Sequence, residues 1–355
     1  MRKKLFVLLS LFYAAGAIAE DVTTYTPAAD EGIVYFLPKT AVEVDFVVTQ
    51  TDYKPGEFSK YANRYLRINN VATQPSQAWN LKEIKIRPIG VVDSTKAYVI
   101  KLSQKSLISN VELTDEGIIK AINTDYTGEK ANEECILQQP LKHENGRKYM
   151  TEEILLAGST AKMAELTAKE IYNIRESKNL ILRGQVDAMP KDGASLELVI
   201  NNLDKQEKAL YEMFIGTTDI QDKVFRRVVV PQGNIEEQIM FRISENLGVV
   251  DLDDLAGEPI YISIEDMQTV KKAIPSDDKK KKKQRLGGAI YNIPGKGNVR
   301  ISFKGKDLIN QDFFFAQFGN TETLAYELFN KKTNTKVVFN PSTGGINKID
   351  SQDKE

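Results

Sequence analysis

Three residue types that carry much of protein chemistry are almost missing from this chain: among 355 residues there is one Cys, one His and one Trp. A single Cys excludes an intramolecular disulfide and Cys-x-x-Cys redox chemistry. One His beside one Cys leaves no multi-His or Cys-cluster zinc site. An excess of charge is missing as well, because 48 Lys and Arg stand against 49 Asp and Glu. With a formal net charge of −1, no global field draws the protein to nucleic acid or anionic lipid. After the first twenty residues no apolar run comes near the roughly 20 residues that cross a bilayer. Asn-x-Ser/Thr sequons are absent too, since Asn340, the near match, is followed by Pro341. What is present is an ordinary globular composition, 41% hydrophobic, with enough chain for about two domains and a substantial core.

The first residues read as a secretory signal peptide. Arg2, Lys3 and Lys4 precede an apolar run from Leu5 to Ala15, and Ala17-Ile18-Ala19 supplies small residues where a signal peptidase reads. Cleavage is expected after Ala19. Glu20 stands where a lipoprotein needs Cys, so no lipid anchor is expected, and the mature chain is mildly acidic. An exported chain without disulfides or sequons reads as bacterial and periplasmic, or otherwise exported beyond the inner membrane. Cys135, flanked by Glu133 and Glu134, reads as an inert thiol, because adjacent carboxylates disfavour the thiolate.

Periodicity divides the rest. From Gly32 to about Thr124 the apolar pattern has mostly period two, as in Val42, Val44, Phe46 and Val48, the mark of strands with one buried face. Val91 to Ile100 reads as two strands around an Asp93-Ser94-Thr95 turn, and Asp115-Glu116-Gly117 as a further turn. Phe58, Tyr61, Ala62 and Tyr65 fall at helical spacing and predict one short helix. Residues from Tyr126 to about Arg147 are polar and aperiodic and read as a linker or long loop. Near Thr151 the pattern changes. Thr160, Ala164, Thr167, Ile171, Ile174, Lys178 and Ile181 describe one long amphipathic helix, and Leu196, Val199, Ile200, Leu203, Leu210 and Phe214 a second, ending at Gly216. The two predict an antiparallel helical hairpin that is integral to the fold, with a β domain covering its remaining apolar surface. Short strands spaced by Gly, Pro and Asp then run to about Asn340. The fold class is therefore α+β, mostly antiparallel: a β-rich domain over 20–150, the hairpin over 151–218, a sandwich-like β domain over 219–346, and a polar, frayed tail over 347–355.

Four stretches carry a resemblance. Gly32-Ile33-Val34-Tyr35-Phe36-Leu37-Pro38-Lys39-Thr40, Ala157-Gly158-Ser159-Thr160-Ala161-Lys162-Met163-Ala164, Ile174-Arg175-Glu176 through Arg183-Gly184, and Met189-Pro190-Lys191-Asp192-Gly193 resemble a family of exported Bacteroidota proteins described only as a domain of unknown function. The resemblance covers most of the mature chain. It implies an envelope location and brings no activity, cofactor or catalytic residue with it.

The residues that could carry chemistry are few. Ser159-Thr160-Ala161-Lys162 is an S-x-x-K string, the arrangement of penicillin-binding enzymes. Those enzymes need later elements, but Tyr61-Ala62-Asn63 precedes Ser159 and Lys332-Thr333-Asn334 corrupts the third motif, so helix capping is the reading. A Ser-His-Asp triad would have to use His143, in a loop-like segment. Glu43 and Asp45 share one strand face, as glycosidase carboxylates could and as any solvent-facing alternation does. Asp251, Asp253 and Asp254 before Gly257 resemble a calcium-loop fragment, but Leu255 occupies an acidic position, so a turn is expected. Gly295-Lys296-Gly297 reads as a hairpin turn. Lys279 to Lys283 reads as a solvated loop, and Phe313-Phe314-Phe315-Ala316-Gln317-Phe318 as a strand buried on both faces. The expectation is an exported cell-envelope protein with a structural or protein-binding role, no recognisable active site, and no cofactor or metal. Its partner would be another envelope protein or a glycan, with neither nucleic acid nor a transmembrane segment. The alternatives are a glycan-binding module or a carboxylate-based carbohydrate hydrolase.

Overall fold

The computed structural model describes residues 32–100, 108–128, 137–186, 192–271, 289–324, 326–329 and 333–353. The expected signal segment, Glu20, Cys135 and the Lys279 to Lys283 run lie outside the described residues. The protein is α+β with antiparallel strands in three sheets and a helix pair between the β-rich parts. In chain order the elements are β1 (Ile33–Lys54), α1 (Ala62–Leu66), β2 (Ser76–Ile100), β3 (Val111–Leu113), β4 (Ile119–Ile122), α2 (Glu152–Leu155), α3 (Thr160–Leu182), α4 (Gly193–Ile215), β5 (Thr217–Val229), β6 (Ile235–Ser244), β7 (Gly248–Val250), β8 (Glu258–Asp266), β9 (Ala289–Phe303), β10 (Lys306–Leu324), β11 (Thr333–Phe339) and β12 (Ile346–Asp353).

The first sheet has the order β2-β1-β5, the second β10-β9-β8-β6-β7 and the third β12-β11-β4-β3. The alternation in β1 decides how the first two meet. Val42, Val44, Phe46 and Val48 face Phe241, Ile260, Ile262, Ile264, Val299 and Ile301 in one buried cluster, with Phe46 stacked on Phe241 at 4.6 Å between ring centroids. The sandwich is thus built from β1 and β2 on one side and strands after residue 217 on the other, with β5 pairing directly onto β1. The far ends of β1 and β2 bury Tyr35, Leu37, Tyr98 and Ile100 against the third sheet, around Ile119, Ile122, Val337 and Phe339.

A long strand can serve two cores only if it bends, and β1 and β2 bend at a bulge. Phe36 pairs with Ala97 but Pro38 pairs with Val92, leaving Asp93 to Lys96 without partners in β1. The turn expected at Asp93-Ser94-Thr95 is therefore a bulge inside one strand. The local chemistry is the expected one: Asp93 Oδ1 accepts from the Thr95 amide at 3.2 Å and the Thr95 hydroxyl at 2.6 Å, and Lys39 Nζ lies 3.2 Å away. Burial pushes the Asp93 carboxyl up, but Thr95 and Lys39 outweigh it and hold it below the ordinary value. A polar knot nearby ties the sheets together. Thr40 Oγ1 donates to the Ser342 carbonyl and accepts from the Ala316 amide, and the Gln317 side chain pairs with both the Thr40 amide and its carbonyl.

Two more readings change. Gly295-Lys296-Gly297 lies in the middle of β9 rather than at a turn. A Cβ at Gly295 would come within 2.3 Å of the Phe318 carbonyl, and one at Gly297 within 2.8 Å of the Phe318 ring, so both glycines serve close approach of β10. In β10, Phe315 and Phe318 are buried as expected, but Phe314 is 55% exposed, because the strand is at a sheet edge and Phe314 is on its solvent face. The polar segment expected to fray instead forms β12, where main-chain pairing with β11 from Ile346 to Asp353 does not depend on apolar side chains. The short helix, the turn at Gly117 and the two long helices lie where periodicity placed them.

Helices α3 and α4 form the expected antiparallel hairpin, but among the described residues its buried cluster holds no strand residue. Its base packs Ala164, Ala168, Ile171, Ile174, Leu210 and Phe214 against Phe58, Ala62 and Leu66 around α1 and Met150 and Ile154 around α2. The distal half projects: Leu182 is 68% and Leu198 63% exposed, and Val199 is exposed beside it. Leu203, half-buried at the cluster's edge, marks the boundary. Because its side chain already reaches water, Leu203→Asp is expected to cost only about 1–2 kcal/mol. Thermal unfolding checks this, and a loss of about 4 kcal/mol or more would mean that the distal hairpin is sealed.

Candidate functional site

The chemically versatile side chains among the described residues gather along the face of the first sheet opposite Val42, Val44, Phe46 and Val48, and at the corner where α4 hands over to β5. That corner is fixed by Gly216, whose φ of 82° lies in the left-handed region. A Cβ there would meet the Lys54 carbonyl at 2.4 Å and the Tyr53 ring at 2.8 Å. The Tyr53 hydroxyl lies 2.8 Å from the Ala72 carbonyl and 2.9 Å from that of Ile215, and burial pushes its phenol up.

Beside Tyr53 a shallow, open pocket of about 340 Å³ is lined by Asp52, Tyr53, Lys54, Pro75, Ser76 and Gln77. Asp52 accepts from the side-chain Nε2 of Gln77 at 2.6 Å and from that of Gln50 at 2.7 Å. Directly across the ladder stands Asp219, a like charge in register, with Lys54 Nζ 3.6 Å from it. His143 reaches this corner from the segment before α2. Its Nδ1 is 3.1 Å from Glu212 Oε1 and its Nε2 is 3.1 Å from Asp219 Oδ1. A carboxylate thus lies near each ring nitrogen of His143, and among the described residues no Ser hydroxyl is placed against the ring.

Farther along β5, the side chain of Asp222 is fully buried. It accepts from the Thr49 hydroxyl at 2.7 Å, Lys82 Nζ at 2.5 Å and the Gln138 amide at 3.0 Å. Burial pushes its carboxyl up, but these three donors prevail and hold it below the ordinary value. Glu43 and Asp45, the candidate glycosidase pair, do share a face. Glu43 accepts from Arg87 Nε at 2.6 Å, and Asp45 receives both Nε and a terminal nitrogen of Arg226 at 2.7 and 2.9 Å. Each carboxylate of the pair is thus engaged by a guanidinium group.

The other sequence candidates stay apart. Ser159 caps α3, its Oγ accepting from the Lys162 amide at 3.2 Å, while Lys162 Nζ pairs with Glu165 at 2.8 Å rather than with the hydroxyl. Asp251, Asp253 and Asp254 form a turn in which the Asp254 amide donates to the Asp251 carbonyl. Among the described residues no group of three or more His, Cys, Asp and Glu side chains is placed to hold a metal ion. No helix among them is long and apolar enough to cross a membrane. The groupings around His143 and Asp222 were not foreseen. Their members lie 69 and 140 residues apart, and no local spacing announces such pairs.

A family model described as a domain of unknown function, DUF4831, matches residues 31–347, and the chain belongs to that family. No curated protein and no solved structure matches the chain.

Proposed function

We propose that this member of the family is an exported cell-envelope protein with a structural or protein-binding role rather than a catalytic one. The observation that carries the reading is the shape and surface of the hairpin. Its base is anchored in a closed cluster, while its distal half holds Leu182 and Leu198 in solvent with Leu180 and Val199 nearby. Stranded leucines on a rigid, anchored projection fit contact with another protein. The charged face of the first sheet supports the non-catalytic half of the reading, since Glu43, Asp45 and Asp222 are each held by cations. The envelope address rests on the basic, apolar and small-residue order of Arg2 to Ala19.

Glycan binding is the second reading and rests on the polar pocket of Asp52, Ser76 and Gln77. Sugar recognition favours a row of exposed rings. Among the described residues the exposed large aromatics are Tyr172 and Phe314, on separate elements.

The test is photocrosslinking in the native envelope from a probe at position 198. A discrete protein adduct is expected, lost in Leu182→Asp, whose melting temperature stays close to that of the parent because the side chain is already exposed. The purified protein is expected to begin at Glu20. Absence of an adduct, an adduct indifferent to Leu182→Asp, or an intact Met1 would each overturn the proposal.

A further inference from the structure

The second sheet ends in β10. Among the described residues, segment 306–314 of that strand pairs with β9 alone, and no other main-chain hydrogen bond reaches it. The next residues show where its free groups point. The Ala316 amide donates to Thr40 Oγ1 on β1 rather than to β9, and in an antiparallel strand the main-chain groups alternate with period two. Asn310, Asp312 and Phe314 therefore turn N–H and C=O outward, while Ile309, Gln311 and Phe313 turn theirs to β9. An open row of this kind is a template for one more strand.

The side chains of this edge match their own reversed order about Gln311. Two antiparallel copies of β10 with Gln311 opposite Gln311 set Ile309 against Phe313, both already packed at the margin of the core cluster. On the solvent face Asn310 meets Asp312. Asn310 Oδ1 already accepts from Asn298 at 2.7 Å, which leaves its NH2 group to donate to that carboxylate. At each end Leu308, 46% exposed, comes to Phe314, 55% exposed. Charge fits the same register. Arg300 on β9 stands beside Asn310, is exposed, and has no hydrogen bond or ion pair among the described residues. In the joined sheet Asp312 of the second copy, which its own Lys296 holds at 2.7 Å, lies just beyond Asn310 in the same row. Other registers fit worse. An axis at Asp312 would put two carboxylates face to face, and an axis at Asn310 would set Ile309 against Gln311 and Leu308 against Asp312. Odd shifts would oppose outward main-chain groups to inward ones.

We infer that β10 joins edge to edge with β10 of a second copy, antiparallel about Gln311, so that two second sheets become one continuous sheet across a two-fold axis. This interface is separate from the hairpin and does not depend on the role proposed for it above. One strand from each copy makes a small interface, so the dimer is expected to dissociate on dilution, with a dissociation constant of roughly 10–100 µM.

Sedimentation equilibrium of the purified full chain reads the association. Phe314→Asp, whose side chain is already in water, is expected to raise the dissociation constant at least about tenfold while the melting temperature stays close to that of the parent. The register is read by Gln311→Cys in a Cys135→Ser background, which leaves one thiol per chain. Opposed residues that share no hydrogen bond lie about 4.5 Å apart between Cα atoms, within reach of a disulfide. Mild oxidation is expected to give the doubled chain at least about tenfold faster than for Leu255→Cys in the same background, an exposed control in the loop between β7 and β8. A chain that stays monomeric to about 500 µM, a dimer indifferent to Phe314→Asp, or Gln311→Cys crosslinking no faster than the control would overturn the inference. So would an oxidised adduct of Gln311→Cys to a different protein in the producing cells, in place of the doubled chain, because it would assign this edge to a foreign strand.

Discussion

Phe46→Ala is expected to lower the stability of the whole chain by about 3–5 kcal/mol, the usual cost of deleting a fully buried phenyl ring from a packed core. Phe46 lies at the meeting of the first and second sheets. Its ring stacks on Phe241, which Phe225 also touches at 5.6 Å between centroids. The cavity would therefore open between a strand that begins at residue 33 and strands that come after residue 217. Trp79, the only Trp, is 9% exposed in the same cluster, so its fluorescence reports on that interface. Urea unfolding followed by fluorescence and by far-ultraviolet circular dichroism is expected to give coincident curves, both displaced to lower urea in the variant. A loss below about 1.5 kcal/mol, or a second dichroism transition that Phe46→Ala leaves in place, would mean that the two sheets do not share one cooperative core.

Asp222→Ala is expected to cost about 2–4 kcal/mol, because it strands several donors around a buried position at once. The larger share comes from the Gln138 amide and the Thr49 hydroxyl. Lys82 is nearly half-exposed, and water recovers much of its interaction. The pH dependence has a definite sign. Since the native carboxyl is held below its ordinary value of 3.8, its contribution is complete above that value and is lost as pH falls through the lower native one. The gap between parent and variant, measured by urea unfolding from about pH 6 to about pH 3, is therefore expected to narrow on the acid side. A gap that stays constant across that range would show that the carboxylate charge contributes nothing. A gap below about 0.5 kcal/mol at pH 6 would remove the cluster from the account of stability altogether.

Both substitutions act on contacts made across long stretches of chain, and there the sequence ceased to be a guide. Period-two alternation in Val42, Val44, Phe46 and Val48 fixed β1, and the 3/4 spacing of Thr160 to Ile181 fixed α3. Each backbone geometry repeats its own exposure pattern within a few residues. Ser159 was readable as a helix start for the same reason, since a cap bonds to an amide three positions away. The α+β class follows from summing such local patterns. Even the family resemblance rested on contiguous stretches of sequence.

Tertiary structure decided whatever depends on a distant partner. Asp93-Ser94-Thr95 has the same side-chain chemistry in a turn as in a bulge, and pairing of the flanking residues with Phe36 and Pro38 made it a bulge. Gly295 and Gly297 are glycines because Phe315 and Phe318 approach them, not because the chain reverses there. The polar residues after Ile346 became a strand because β11 offered unpaired main-chain groups, which side-chain hydrophobicity does not register. The hairpin's apolar stripes led to the expectation of a β domain as cover, whereas the residues around α1 and α2 cover its base and the distal half stays open. His143 looked like an isolated loop residue until α4 and β5 brought Glu212 and Asp219 to its two ring nitrogens. Local geometry is written in neighbouring residues, whereas the identity of a long-range partner is set by packing the whole chain at once.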